Sequence, residues 1–437
     1  MSATYKLLAQ AGTSRYLDEA SGVTIDIPAG DDVTLVQPPQ VAAIPTSAIQ
    51  QALLSPVGSH SLVDLAKGCR RVAIITSDST RSVPCARLLD QILPMLLSAG
   101  IQIENITVVV ALGVHRPATQ AEMDGYLGSW KGRLKIINHD AFDPDRLSIV
   151  GRTSRGNEVR INRTVAEADL RIALGQVEPH EFAGFSGGPK SVLAGVSSEE
   201  AIKSNHSPQM LMHPLALPGV TYGNPIWEDI LEAAIAADIQ FIVNVILTPE
   251  LEIAGVVAGA LESAHAAAIA LYQQIYRVAV PLNDSADIVV TTPGHPLDMN
   301  LYQSIKPLVA VQNIVRPGGV VVLYANCSEG TGGAPFVAPF ENAASPREVI
   351  SRLSTHGAYR IEMDHALLLC RMQLSRQLKF IFCTPGVSPD IIRSMFCTVA
   401  TSPQDAYNKA RVFLTRGNDR SIRTVLYPKP QKIAPRS

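Results

Sequence analysis

The chain has 437 residues, more than one hydrophobic core organises, so two domains are expected. Hydrophobic residues make up 46% and charged residues 17%, the balance of a packed enzyme and not of a disordered or coiled-coil chain. A net charge of -2, with no interleaved Arg/aromatic stretch and no recognition-helix motif, argues against nucleic-acid binding.

The opening MSATYKLLAQ lacks a basic stretch followed by an apolar run, and no segment reaches the roughly 18 uncharged apolar residues of a spanning helix. A cytoplasmic location with no membrane partner is the expectation. From Arg70 the pattern alternates short β-branched runs with amphipathic stretches: RRVAIITSD, CARLLDQILPMLLSAG, ENITVVVALG, TQAEMDGYLG, LKIINHD. That β-α-β rhythm, with strands lacking strict alternation, predicts a mainly parallel sheet covered on both faces. ADLRIALGQV and IQFIVNVIL add two strands, and GVVAGALESAHAAAIALYQQIYRV reads as one uninterrupted helix ending at the turn PLNDSAD.

The rhythm then restarts with DIVVTTPG, a helix over LDMNLYQSIKPLVAVQNIV, the strands GGVVVLYAN and KFIFCTPG, and SPDIIRSMF. The expected architecture is therefore α/β: two α/β domains with mainly parallel sheets and an active site in the cleft between them. Residues 1–278 form the larger N-terminal domain, 279–428 the smaller C-terminal one, and 429–437, proline-rich and basic, a flexible tail. Cys69, Cys85, Cys327, Cys370, Cys383 and Cys397 are scattered with no C-x-x-C pair, which fits reduced core thiols.

Ligands of open α/β sheets sit beyond the carboxyl ends of the strands, and four such places carry chemistry. After RVAII, Asp78, Ser79, Thr80 and Arg81 crowd a turn before Pro84. An arginine beside a helix start suits a carboxylate or phosphate; alternatively Ser79 or Ser82 caps the helix and Arg81 pairs with Asp78. His115 directly follows the strand ITVVV, as a base or as a structural histidine.

The third place, EPHEFAGFSGGPKSVLAG, holds Gly184, Gly187 and Gly188, which let a backbone approach a ligand closely, with Ser186, Lys190 and Ser191 as polar contacts. It is not a Walker A loop, because Pro189 precedes Lys190 and the glycine spacing is one short. His180 lies ten positions ahead of Lys190, and His206 falls at the end of a helix starting in SSEEAI, as an end cap or as a ligand. Fourth, Tyr302, Gln303 and Lys306 occupy little more than one helical turn, either as a solvated face or as substrate contacts, with Gln303 and Lys306 on one face. A zinc triad of the three histidines is disfavoured because H-E-x-x-H is absent; two opposed bases and a third histidine on a metal fit better.

SDSTRSVP, GVHRPAT, PHEFAGFSGGPKSVLAGV, SNH and PLDMNLYQSIK, in this order and spacing, resemble the LarA-type nickel-dependent lactate racemase family, from about Pro56 to Leu426. The resemblance implies a 2-hydroxy acid racemase or epimerase whose cofactor is a nickel-pincer nucleotide, the pyridinium-3,5-bisthiocarboxylic acid mononucleotide with nickel. Lys190 would tether it covalently and His206 would ligate the nickel. His115 and His180 would be paired acid/base residues in a proton-coupled hydride transfer to and from the cofactor. Arg81 and Lys306 would hold the substrate carboxylate, with Gln303 and Tyr302 beside it. Asp78, Gly184, Ser186, Gly187 and Gly188 would contact the nucleotide.

Dedicated cofactor-synthesis enzymes are the implied maturation partners. One departure stands out: lactate-acting members place a tryptophan near residues 362–366, whereas this chain has only Trp130 and Trp227 and reads IEMDHALLL there. Asp364 or His365 would then shape a roomier, more polar wall for a substrate larger than lactate. A phosphate-loop kinase or ATPase acting through residues 184–191, and a non-catalytic carrier of the cofactor, remain the alternatives.

Overall fold

A computed structural model describes residues 5–10, 12–19, 21–278, 283–355, 357–416, 420–430 and 434–435. The chain divides into two compact units: residues 40–206 with 219–275, and residues 1–39 with 207–218 and 276–437.

In the first unit, strand Val72–Ser77 opens with the apolar run Val72–Ile75 and is buried from Val72 to Thr76, as a strand flanked on both sides and covered on both faces is. The sheet runs in the order 253–259, 241–247, 170–176, 72–77, 106–111, 135–138. All of these strands are parallel to their neighbours except Ile253–Gly259. Helix Cys85–Ser98 buries Leu88, Leu89, Ile92, Leu93 and Leu96, an i, i+4, i+8 stripe, in a common core with Ile74, Val108, Ile172 and Val243. From Val72–Ser77 the chain builds outward to 106–111 and 135–138, then returns to the other side at Leu170–Gln176. The order reverses between strands 72–77 and 170–176, the switch point at which sheets of this kind bind ligands.

The second unit holds a sheet ordered 398–399, 379–383, 315–324, 286–292, 423–428, 32–35, parallel throughout. Residues 1–39 do not belong to the first unit, as the expected domain over residues 1–278 had them, but to the second. Strand Asp32–Leu35 extends this sheet beside Arg423–Pro428, and Asp31 accepts hydrogen bonds from the Ile422 backbone (3.1 Å) and the Tyr407 hydroxyl (3.0 Å). The antiparallel strands Tyr5–Gln10, Thr13–Asp18 and Val23–Pro28 place Tyr16, Ile25 and Ile27 in one core with Ile288, Val320 and Leu426. Residues 207–218 join the same unit through Arg371, whose buried guanidinium donates to the carbonyls of Leu211 (2.6 Å) and Ala216 (3.3 Å).

The alanine-rich run is not one helix. Its first part is strand Ile253–Gly259 and only Leu261–Ile275 is helical, because Gly259 lies against the Val57 backbone, where a Cβ would come 2.2 Å from the Val57 oxygen. The run over residues 297–315 is likewise broken into Leu297–Met299, Leu301–Ser304 and Lys306–Val311, Pro307 being unable to donate to a preceding carbonyl. Of the expected tail, residues 431–433 and 436–437 lie outside the described residues, and Ala434–Pro435 pairs with Arg277–Val278. The six cysteines are free thiols, five of them buried. Among the described residues no helix is long and apolar enough to cross a membrane.

Candidate functional site

Strand Val72–Ser77 delivers Asp78 and Arg81 to the switch point, and Ile106–Ala111 delivers His115. Asp78 is buried, and its Oδ1 accepts from the Thr80 backbone (3.1 Å) and the Thr80 hydroxyl (2.6 Å). Its Oδ2 lies 2.6 Å from His115 Nδ1. Burial pushes the Asp78 carboxyl up, but the bonds from His115 and Thr80 outweigh it and hold the group below the ordinary aspartate value. An ionised carboxylate only accepts, so His115 Nδ1 carries the proton and the neutral ring keeps Nε2 as its base. The His115 side chain is 56% exposed, open to a substrate. Asp78, expected as a nucleotide contact, thus spends its oxygens on His115 and Thr80.

Arg81 does not pair with Asp78, and no side chain caps helix Cys85–Ser98. Its Nη1 instead donates to Glu178 Oε1 at 2.6 Å, and Gln176 donates to the other Glu178 oxygen at 3.1 Å. Burial works to lower the Arg81 pKa, yet Glu178, Glu181 and Asp78 hold it above its ordinary value.

The loop after Leu170–Gln176 owes its glycines to packing. At φ +79, a Cβ on Gly187 would meet Asn244 Oδ1 at 2.9 Å; at φ +43, one on Gly188 would meet His265 Nδ1 at 2.5 Å. Ser186 donates to the Gln176 carbonyl (2.8 Å) and accepts from the Glu178 backbone (3.1 Å), while the Gly188 N–H donates to Asn244 Oδ1 (3.0 Å). Gly184, at φ +73, is pressed against the Val220 carbonyl. These groups fix the shape of the loop, and the 3-10 turn Gly188–Ser191 presents Lys190, half-buried.

Asn244 and His265 escaped the sequence reading. The one signal for Asn244 was its polar interruption of FIVNVIL; His265 had none within its alanine-rich run. Asn244 donates to His265 Nδ1 (3.1 Å), Trp227 stacks on the His265 ring (5.1 Å), and burial pulls the imidazole down to about 3.

His180 is buried, with Nδ1 3.4 Å from Glu181 Oε2. Phe182, also missed by the sequence reading, meets the rings of His180 and His206 edge-on at 4.7 and 4.9 Å. Helix Glu199–Asn205 starts at Ser198, whose side chain accepts from the Ala201 N–H, and ends with His206 as its C-cap. The Ile202 carbonyl accepts both the backbone N–H (2.9 Å) and Nδ1 (3.0 Å) of His206. A carbonyl cannot donate, so Nδ1 carries hydrogen and Nε2 of the neutral ring carries a lone pair, the state of a metal-ligating histidine.

In the second unit, Asn300 caps Leu301–Ser304 by accepting the Gln303 N–H (3.0 Å), and Lys306 opens the next short helix. Ile305 keeps helical dihedrals between them, so Gln303 and Lys306 retain their i, i+3 relation. The Tyr302 hydroxyl donates to Asp364 (3.1 Å), and its ring lies 4.2 Å from that of His365. Asp364 and His365 are both buried at the start of helix Asp364–Ser375.

Residues 19–217 match the family model of the lactate racemase N-terminal domain, and residues 282–427 that of the lactate racemase C-terminal domain. The chain is 34% identical over 386 residues to a lactate racemase of Thermoanaerobacterium thermosaccharolyticum, covering 86% of this chain and 88% of that one. It is 33% identical over 365 residues to a lactate racemase of Lactiplantibacillus plantarum, covering 83% and 85%. The structure of the lactate racemase apoprotein from Thermoanaerobacterium thermosaccharolyticum superposes with a TM-score of 0.86 at 30% identity, covering 99% of this chain and 100% of that one. A Thermotoga maritima protein shares the fold with a TM-score of 0.66 at 18% identity, covering 90% and 99%. Two domain matches in chain order and identity sustained over most of both relatives place the chain in the lactate racemase family, as an isomerase of the racemase kind.

Proposed function

We propose that the chain racemises or epimerises a 2-hydroxy acid with a nickel-pincer nucleotide tethered at Lys190. The observation that carries this reading is His206, with Nδ1 committed to the Ile202 carbonyl and Nε2 left in its ligating form. The loop that presents Lys190 turns the Gly188 N–H and the Ser186 hydroxyl inward, away from cradling a triphosphate. Gly184, Ser186, Gly187 and Gly188 serve the cofactor by shaping that loop. When bound, the cofactor supplies a reversible acceptor for the substrate's Cα hydride.

The chain's own residues handle the proton. His115, held by Asp78 with Nε2 as base, takes the hydroxyl proton of one enantiomer, and Asp78 stabilises the resulting imidazolium. His180, buried beside Glu181 with its Nδ1 accepting the Ala183 N–H, exchanges the proton of the other enantiomer. A planar 2-keto acid presents both faces, so the histidine opposite the one that took the proton would return a proton to its oxygen when configuration inverts. Arg81, through guanidinium donors not used by Glu178, and Lys306 hold the carboxylate; Gln303 and Tyr302 orient the substrate. Asp364 accepts the hydrogen bond of the Tyr302 hydroxyl and, with His365, gives this wall a polar character. That favours a substrate larger and more polar than lactate.

Cofactor-synthesis enzymes are required for loading. The intact mass of the protein co-expressed with them gains an adduct on Lys190, absent from Lys190→Ala. Racemisation assays of this loaded protein on lactate, malate, 2-hydroxyglutarate, phenyllactate and an aldonate test the reading; inactivity on all five overturns it.

A further inference from the structure

The Asp229 carboxyl, on helix Pro225–Ala236, is 0% exposed and takes no part in the chemistry above. Its Oδ1 accepts from the Thr153 hydroxyl (2.5 Å), and its Oδ2 accepts from Asn157 Nδ2 (2.9 Å) and Asn205 Nδ2 (2.9 Å). Asn157 Nδ2 also donates to the Ala201 carbonyl (3.0 Å), and Asn205 Nδ2 to the Ile226 carbonyl (3.1 Å). The network therefore grips helix Glu199–Asn205 at Ala201 and at its last residue, and His206 comes next.

A seven-residue helix cannot hold its own end rigid, since isolated helices shorter than about 12 residues are marginal. The orientation of the Asn205 amide is fixed, because flipping it would turn its oxygen against a carbonyl and a carboxyl together. Its Oδ1, at a fully buried position, has no hydrogen-bond partner among the described residues. A half-satisfied buried amide over a buried carboxyl is a poor solution for stability alone, where apolar packing does as well or better.

We infer that Asp229 and Asn205 are positioning residues for His206, clamping the helix end so that its ring holds one orientation toward nickel. The inference rests on the reading of His206 as the nickel ligand. The test uses holoenzyme prepared with the cofactor-synthesis enzymes and reads three quantities: adduct mass, the visible absorption of bound nickel, and the rate of nickel loss to EDTA. Asn205→Ala and Asp229→Asn are expected to keep the Lys190 adduct while losing nickel about 10- to 100-fold faster with a shifted absorption. Should Asp229→Asn not fold, Asn205→Ala carries the test.

Thr153→Val removes the bonds of this hydroxyl to the same carboxyl and to the Asn157 N–H, neither of which runs to Asn205. It is expected to lower the melting temperature and leave nickel loss at the wild-type rate; equal acceleration in this variant reduces the effect to general destabilisation and overturns the inference. Wild-type loss and absorption in Asn205→Ala, alongside altered values in His206→Ala, overturn it while sparing the His206 assignment. Unaltered values in His206→Ala overturn that assignment, and this inference with it.

Discussion

The Asp78 to His115 contact at 2.6 Å turns an exposed strand-end histidine into a base of defined tautomer. Neither residue announces this in the sequence, where 37 positions separate them. In Asp78→Asn the side chain can present an N–H where the carboxylate accepted, which favours the wrong imidazole tautomer and removes the charge that stabilises the imidazolium. We expect kcat to fall by about 10²–10⁴-fold for the enantiomer served by His115, with the fold intact by circular dichroism. A wild-type kcat in this variant removes Asp78 from the mechanism. Glu178 shows the same hidden economy, since it occupies one edge of Arg81 and fixes which donors of the guanidinium remain for other partners.

At the scale of elements, periodicity marks what is buried, and the parallel strands and the helix from Val72 to Asn138, with Leu170–Gln176, were legible for that reason, whereas the antiparallel pair Leu147–Arg152 and Glu158–Asn162 was not. Where composition rather than period dominates, the reading failed: the alanine- and glycine-rich stretch before Leu261 is a strand, because the antiparallel edge beside Phe241–Leu247 tolerates small residues. Site residues at strand ends could be nominated, but not their partners. Glu178, Asn244 and His265 act through contacts set by tertiary packing, and the loop glycines proved to be packing glycines. Gly188→Ala puts a Cβ at φ +43 and 2.5 Å from His265 Nδ1, so we expect a loss of about 1–3 kcal/mol in stability and a lower yield of Lys190 adduct. If His265 is the obstacle, His265→Ala recovers part of the loss in the double variant, and additive denaturation midpoints count against that.

At the scale of the whole molecule, residues 1–39 belong with a sheet formed nearly 400 positions later, which no local pattern could reveal. Removing them strips the neighbour of strand Arg423–Pro428 and uncovers Ile288, Val320 and Leu426. Hydrogen exchange should then lose protection over residues 286–292 and 423–428 while residues 72–77 and 106–111 stay protected; uniform loss would contradict the division into units. A second global property follows from two histidines buried in the other unit. Burial, the larger effect, outweighs the bond to the Ser197 carbonyl and pulls His139 down to about 4, and burial alone pulls His265 down to about 3. In the unfolded chain both titrate near 6.5, so below that pH the unfolded state binds protons that the folded state refuses, and stability falls as pH falls. The slope is about 1.4 kcal/mol per pH unit for each histidine, or about 2 kcal/mol each between pH 7 and pH 5, and it continues until pH reaches each folded value. Urea denaturation at the two pH values measures the sum, and His139→Gln or His265→Gln, neutral at both, should each remove about half of the difference; an unchanged difference would assign the acid sensitivity to other groups.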